Sequence, residues 1–339
     1  EHGQNTWLTF SDDFQSNKLG SKIMISSNNI RRLIRSFVLV MTGALTACAS
    51  LETSETIVVD NLTAEKFGVL VMAHGGSDDW NKGVENSLNN LRSEYPVEIA
   101  FGMADAGSIE NGVRNLEAQG VEQVGVVRLF ISGESWRQRT AQILGIENGA
   151  PVKPTDHCAM DHCAMDHGTM PMGFWKIDSD LRFYLSEEGL SEAQEMDQVL
   201  LSRVRALSTD PTSEVVVIIA HGPADDEENA RWISEISERT KLIKREMNVR
   251  DVQVFTLRED WEQKREGAEE LIRKYVKEAG ANSLTPIVVP FRVHGFGPYA
   301  SVLAGLNYNA EQKGLIPHTN VVLWIKNQAK VLRTQAQAD

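Results

Sequence analysis

The sequence has few cysteines and fewer basic than acidic residues. Only 3 of its 339 residues are cysteine, and Lys and Arg number 34 against 47 Asp and Glu, a formal net charge of -13. Nucleic-acid binding needs basic surface to neutralise phosphates, and no Lys/Arg cluster lies beside aromatic residues, so the composition argues against a nucleic-acid partner. The hydrophobic content of 42% is that of a globular protein, and the length leaves room for two domains.

An apolar stretch near the amino terminus is too short to span a membrane. Residues 37–47 are largely apolar, follow three arginines between positions 31 and 35, and run into the ending Leu-Thr-Ala-Cys48. Basic residues, a short apolar run and small residues in this order are typical of a secretory signal, with a buried helix as the alternative. The ending resembles the bacterial lipoprotein box, which implies that Cys48 is lipidated and is the first mature residue.

This interpretation divides the amino-terminal region and predicts a location. We interpret residues 1–23 as a non-native or upstream extension, 24–48 as a lipoprotein signal peptide and 49–66 as a tether. The expected location is the bacterial cell envelope, with membrane contact through the lipid anchor only. Ala49 after the lipidated cysteine favours the periplasmic face of the outer membrane.

One pattern occurs twice. Residues 68–79 and 215–226 each consist of an apolar run, then Ala-His-Gly, then a pair of aspartates two residues later, and their histidines, His74 and His221, are 147 positions apart (221 − 74). Short apolar runs that end at glycine are typical of buried parallel strands. Ligands bind at the carboxyl ends of such strands. The repeat therefore predicts two similar α/β halves that each present an imidazole to a shared cleft.

The rest of the chain alternates between strand and helix patterns, which indicates parallel sheets. We expect a first half at 67–146, a loop at 147–180, a connecting helix within 181–213 and a second half at 214–339. The predicted strands are 68–73, 97–102, 124–131, 215–220, 252–257, 286–291 and 321–325. The predicted helices are 80–94, 108–119, 136–145, 189–207, 226–247, 261–279 and 298–312.

Polar side chains follow three predicted strands of the second half. His221 ends the first strand, Glu259 follows the second and His294 follows the third. Because neighbouring parallel strands present their carboxyl ends to one crevice, we expect these three side chains to converge. Two imidazoles and a carboxylate suit Co, Ni, Fe or Zn. The alternative is that each residue caps a helix or stabilises a turn.

The order of strand–Ala-His-Gly, strand–Glu and strand–Pro-x-x-x-His-Gly resembles the class II tetrapyrrole chelatases, which include sirohydrochlorin cobalto- and ferrochelatases. The resemblance implies two flavodoxin-like halves around a cleft. It also implies a lyase activity, the insertion of divalent cobalt or ferrous iron into sirohydrochlorin or a related ring. On this resemblance, His221 and His294 bind the metal and accept the pyrrole protons, and Glu259 matches the acidic position between them.

The first half resembles the single-unit sirohydrochlorin chelatases around His74. Where that group has a second histidine after a Leu-Phe strand, this chain has Glu134-Ser135, and Arg128 stands where proline is usual. Glu134 is therefore a candidate ligand or base beside His74. Candidates for stacking on the ring, with core packing as the alternative, are Trp80, Trp136, Trp232, Phe291, Phe296 and Tyr299. Arg137 and Arg292 are candidates for binding the ring carboxylates.

A five-residue repeat between the halves is rich in soft metal ligands. Its ligands are His157, Cys158, Met160, His162, Cys163, Met165, His167, Met170 and Met172. Thiolate, thioether and imidazole together select Cu(I) first, with Zn, Ni and Co as alternatives. The other interpretation is a Cys158–Cys163 disulfide in an oxidisable loop. The tract resembles His/Met repeats of periplasmic copper proteins, so a non-catalytic copper or haem carrier is the rival to the enzyme. The oligomeric state stays open.

Overall fold

The computed structural model describes residues 66–154 and 172–339. The predicted signal peptide, Cys48 and the tether up to residue 65 lie outside the described residues. Of the predicted metal-binding tract, residues 157–172, only Met172 lies within them. Across the described ranges, no helix combines the length and the apolar character that a membrane crossing requires.

The described chain contains two parallel four-stranded sheets, which confirms the predicted α/β class and its duplication. The first sheet has the order β2-β1-β3-β4 and the second the equivalent order β6-β5-β7-β8. The strands are β1 (Phe67–Ala73), β2 (Val97–Phe101), β3 (Gln123–Leu129), β4 (Arg182–Leu185), β5 (Glu214–Ala220), β6 (Asp251–Thr256), β7 (Thr285–Phe291) and β8 (Asn309–Ala310). In both sheets the strand that ends in Ala-His-Gly is central, so each histidine lies at the middle of a carboxyl edge.

Helices connect the strands, since parallel neighbours need a crossover connection. They are α1 (Asp78–Ser87), α2 (Ala106–Ala118), α3 (Arg137–Ile143), α4 (Glu195–Leu207), α5 (Asp226–Arg239), α6 (Lys241–Glu246), α7 (Glu262–Ala281), α8 (Tyr299–Val302) and α9 (Thr319–Ala338). The predicted helix 226–247 is two helices that meet at Thr240, and the helix predicted at 189–207 begins only at Glu195. The edge strand β4 was not predicted, because its four residues lack a clear apolar alternation.

Two predictions near the carboxyl terminus are wrong. The predicted helix 298–312 is the single turn α8 followed by strand β8, because Gly305 adopts a left-handed backbone angle of φ +79° that ends the helix. The predicted strand 321–325 is the start of α9. A short apolar run such as residues 321–325 is compatible with a buried strand and with a buried helix, so the sequence pattern does not distinguish them. The buried positions Val321, Trp324, Ile325, Ala329, Leu332 and Ala336 follow a helical period.

The two halves share one hydrophobic core through exchanged helices. Helix α9, at the end of the chain, packs on β3 and β4 of the first sheet, whereas α4, which follows the first sheet, packs on β7 and α6. The two helices also pack on each other. The inner faces of both sheets therefore belong to one cluster of buried residues, with Trp324 of α9 fully buried in it.

Candidate functional site

Both Ala-His-Gly turns fix the histidine ring in the same way. The glycine after each histidine, Gly75 or Gly222, has a positive φ of 80° or 82°, which favours glycine. This turn brings the glycine carbonyl to the imidazole, 2.8 Å from Nδ1 of His74 and 2.9 Å from Nδ1 of His221. A carbonyl oxygen only accepts, so Nδ1 carries the proton and donates it. In the neutral ring, Nε2 then presents its lone pair to a metal or a proton.

In the second half, this free nitrogen faces a carboxylate. Oδ2 of Asp260 lies 3.1 Å from Nε2 of His221. The turn after β6 makes this approach possible, because the backbone N–H groups of Arg258 and Glu259 donate to the His221 carbonyl over 2.7 and 3.3 Å. A neutral Nε2 and a carboxylate oxygen are both acceptors, so a proton or a metal cation between them satisfies both. The pair is accessible, since 30% of the His221 side chain is exposed.

Arg258 connects the loop after β5, which follows His221, to the loop after β6, which carries Asp260. Its side chain is buried, and its backbone has a left-handed φ of 57°, which is unusual outside glycine. The guanidinium donates to the carbonyls of Pro223 and Ala224 and to the carboxylate of Asp226 over 2.9 Å. Sequence reasoning missed both Arg258 and Asp260. The run Arg-Glu-Asp after a strand was visible, but not which acid faces the histidine.

Glu259 makes an ion pair instead of facing His221. Its carboxylate accepts from Nη1 of Arg292, in the loop after β7, and only 11% of the Glu259 side chain is exposed. The Arg292 guanidinium also lies over the ring of the fully buried Tyr299, 5.7 Å from its centroid. Burial lowers the pKa of Arg292, but Tyr299 and Glu259 outweigh it and raise this pKa overall. In this arrangement Glu259 is the counter-ion of a half-buried arginine.

His294 lies against the first half of the protein. A Cβ atom added at Gly83 of α1 would lie 3.0 Å from Cδ2 of His294 and 3.4 Å from its Nε2. A side chain at position 83 would therefore crowd the imidazole, which packs closely against the glycine. The loop after the third strand of one half thus reaches the first helix of the other half.

Glu134 makes the reciprocal contact. Its two carboxylate oxygens accept from Nε and Nη2 of Arg231 on α5, over 2.7 and 2.8 Å. This hydrogen bond lowers the pKa of Glu134. The first half has no histidine at the position equivalent to His294. Leu129 is in register with Ala73 in the first sheet, as Phe291 is with Ala220 in the second, so these two strand ends are equivalent. His294 lies three residues after Phe291, and the residue three after Leu129 is Ser132, so Glu134 lies two residues beyond the equivalent position.

Arg128 holds the loop that carries Glu134. The side chain is 1% exposed, and its guanidinium donates only to backbone carbonyls. The acceptors are those of Gly133 and Ser135 in the loop and of Ser186 and Glu187 after β4, at 2.5–3.2 Å. Burial lowers the pKa of Arg128 to about 10, so the group is still charged at neutral pH.

The aromatic candidates divide by burial. Trp232, Phe291, Phe296 and Tyr299 are at most 6% exposed and belong to the core, as the alternative interpretation had it. Trp80 and Trp136 are half-buried, and the ring of Trp80 lies 6.5 Å from that of His74. Sequence reasoning missed Trp261, whose ring stands perpendicular to that of His221 at 6.0 Å.

Within the part of the chain that the structure describes, the predicted metal ligands do not form a three-ligand cluster. Among residues 66–154 and 172–339, no three His, Cys, Asp or Glu side chains are grouped so as to hold a metal ion. Of the predicted convergent set His221, Glu259 and His294, each has a different neighbour: Asp260, Arg292 and Gly83. The metal roles of these residues and of the tract stay predictions.

The described residues on either side of the predicted metal-binding tract contact the first half. After the tract, the Gly173 N–H donates to the carboxylate of Asp105 over 2.6 Å, and the Gly173 carbonyl accepts from the Ala106 N–H. Before the tract, Lys153 donates to Glu110 of α2 over 2.6 Å. Asp105 follows the carboxyl end of β2 and caps α2. The chain therefore leaves and re-enters the described structure beside α2.

Comparisons with known proteins support the resemblance drawn from the sequence. No protein-family model matches the chain. It is 30% identical over 89 residues to a sirohydrochlorin cobaltochelatase from Methanothermobacter thermautotrophicus, an alignment that covers 25% of this chain and 62% of that protein. The chain thus spans less than two thirds of the length of this relative.

Two solved structures are similar to the fold. SirB from Bacillus subtilis with Fe3+ matches with a TM-score of 0.54 and 14% identity, over 81% of this chain and 98% of that chain. The sirohydrochlorin chelatase SirB from Bacillus subtilis subspecies spizizenii in complex with cobalt matches with a TM-score of 0.49 and 14% identity, over 80% and 98%. At this identity the first match shows a shared fold. The chain therefore shares the fold of SirB and, over 89 residues, is similar in sequence to a cobaltochelatase.

Proposed function

We propose that this chain belongs to the class II tetrapyrrole chelatases and inserts divalent cobalt or ferrous iron into sirohydrochlorin or a related ring. The observation that carries the proposal is the His221–Asp260 pair at neighbouring strand ends of a fold shared with SirB. The partial sequence match to a sirohydrochlorin cobaltochelatase supports the same substrate class.

The reaction requires a proton acceptor beside the metal. When a divalent metal enters the ring, four metal–nitrogen bonds form, the two pyrrole N–H bonds of the ring break, and two protons leave. Nε2 of His221 is free to accept the first proton, because Nδ1 is engaged with the Gly222 carbonyl. Asp260, 3.1 Å away, shares the incoming metal with Nε2 before transfer, and stabilises the imidazolium that forms once Nε2 has released the metal and accepted the proton.

The remaining predicted residues keep subsidiary roles in this proposal. We propose His294 as the second imidazole of a cleft between the halves and His74 as its first-half counterpart. Glu259 serves as a positioning residue, because its ion pair with Arg292 fixes the loop that leads to His294. The bidentate contact of Glu134 with Arg231 favours a different role, which is argued below.

The test is turnover with a matched pair of histidine variants. Purified protein is mixed with sirohydrochlorin and Co2+ or Fe2+, and insertion is followed by absorbance. We expect a rate above the uncatalysed control, a loss of about 100-fold or more for His221→Ala, as for removal of a general base, and a smaller loss for His74→Ala. A wild-type rate equal to the uncatalysed rate with every metal would refute the proposed chelatase activity.

A second candidate function, a non-catalytic copper or haem carrier, is favoured by the composition of the tract. Thiol, thioether and imidazole groups repeat within residues 157–172, and such groups suit Cu(I), with Ni and Zn as further candidates. A carrier retains metal binding in His221→Ala and loses it when residues 156–172 are deleted. A chelatase shows the opposite pattern in turnover. Metal retained after gel filtration measures the first property, and the absorbance assay measures the second.

A further inference from the structure

The ion pair between Glu134 and Arg231 joins the two halves at the edge where ligands bind in this class of fold. Glu134 follows the carboxyl end of β3 in the first half, and Arg231 is the sixth residue of α5 in the second half. Each side chain is 48% exposed, so solvent and solutes reach both partners. Both guanidinium contacts, at 2.7 and 2.8 Å, have the parallel geometry by which arginine binds any carboxylate.

We propose that Arg231 is a receptor for a carboxylate of the tetrapyrrole, and that Glu134 occupies it until the ring binds. This inference rests on the proposed function, because sirohydrochlorin carries carboxylate side chains. The two arginines predicted for this task are engaged elsewhere: Arg292 pairs with Glu259, and Arg137 pairs with Glu187 and Glu147.

The loop around Glu134 is built for exchange of the side chain alone. Arg128 holds the carbonyls of Gly133 and Ser135 on either side of Glu134, and the Glu134 N–H donates to Oγ of Ser132 over 3.1 Å. The backbone therefore stays in place when the carboxylate swings away. An exposed ion pair is weak, because water solvates both separated charges, so an incoming carboxylate can displace Glu134.

The equivalent position in the other half supports a ligand-binding role for Arg231. The sixth residue of α1 is Gly83, which has no side chain and leaves space for His294. The duplicated scaffold thus presents a cation at one of its two equivalent positions and an imidazole at the other.

Opposite effects of two neutral substitutions test the proposal. The affinity of wild-type protein for metal-free sirohydrochlorin is measured by fluorescence quenching. In Glu134→Gln the competing carboxylate is gone, and we expect the Kd to fall by about two- to fivefold, the factor that an exposed ion pair typically contributes. In Arg231→Gln the receptor is gone, and we expect the Kd to rise about tenfold, which equals ~1.4 kcal/mol. The double variant should match Arg231→Gln within about twofold, because Glu134 then has nothing to compete for.

The controls separate this proposal from a purely structural ion pair and from the proposed function. Lys66 and Glu122 form an exposed ion pair before β1 and β3, at the opposite edge of the first sheet. The matched variants Lys66→Gln and Glu122→Gln should leave the Kd unchanged. If Glu134→Gln and Arg231→Gln shift the Kd in the same direction, the pair only joins the halves and the proposal is wrong. If wild-type protein does not bind sirohydrochlorin, the proposed function itself fails.

Discussion

Replacing Arg128 by methionine should destabilise the protein strongly, because a buried cation there holds two segments together. Its guanidinium donates hydrogen bonds to four backbone carbonyls. Two of these carbonyls belong to buried residues, Gly133 and Ser186. Each buried acceptor that loses its donor costs about 1–3 kcal/mol, so we expect the free energy of unfolding to fall by about 3 kcal/mol. Relief from burying a charge offsets part of this loss, whereas the cavity left by the shorter side chain adds to it.

Urea-induced unfolding, followed by circular dichroism, measures this loss. The matched control is Arg137→Met on the adjacent helix α3. The Arg137 side chain is 38% exposed and pairs with Glu147 over 3.2 Å, so its loss should cost about 1 kcal/mol or less. Arg128→Lys keeps the charge but has fewer donors and should fall between the two. A loss below about 1 kcal/mol in Arg128→Met would show that water replaces the guanidinium and would refute the reasoning.

Three further predictions concern the α9 cap, the tract and the anchor. Burial and the charge of Arg203 lower the pKa of His318, whose neutral Nδ1 accepts from the N–H of Asn320 at the start of α9. The neutral ring therefore stabilises the fold above pH 6.5, and this contribution is lost as the pH falls through the lowered pKa of His318. The thermal unfolding temperature of His318→Gln should therefore depend less on pH, between 7 and 5, than that of the wild-type protein. Deleting residues 156–172 should raise the metal concentration at half-maximal rate and leave the saturated rate unchanged, because a nearby multidentate segment raises only the local metal concentration. A lower saturated rate would place the tract in the reaction. Cys48→Ser should release the protein from membranes in a fractionation experiment, and continued membrane association would contradict the lipoprotein interpretation.

The sequence predicted the sheets well because buried parallel strands have a strong local signal. The apolar runs of β1 and β5 end at Ala-His-Gly, and all 7 residues of each strand are buried in the structure. The same signal misled at residues 321–325, where five apolar residues lie in the first turns of a helix and not in a strand. Only the buried positions further along α9, beyond the predicted strand, distinguish the two structures.

The site was predictable in its position but not in its contacts. The strand ends placed His221 and the acidic run beside each other, since neighbouring parallel strands end at one edge. Which acid turns toward His221 depends on the left-handed backbone at Arg258, for which the sequence has no signal. The contact of Glu134 with Arg231 joins residues 97 positions apart and depends on how the halves pack. Local patterns carry no information on such a contact.

The position of bound metal tests the central claim most directly. The claim is that the second-half strand ends, and not the tract, hold the metal that is inserted. The protein is loaded with Co2+, and anomalous scattering from its crystals locates the ion. The account predicts cobalt at coordination distance, about 2.0–2.2 Å, from Nε2 of His221 and a carboxylate oxygen of Asp260. Cobalt bound elsewhere, with His221 and Asp260 still paired to each other, would contradict it.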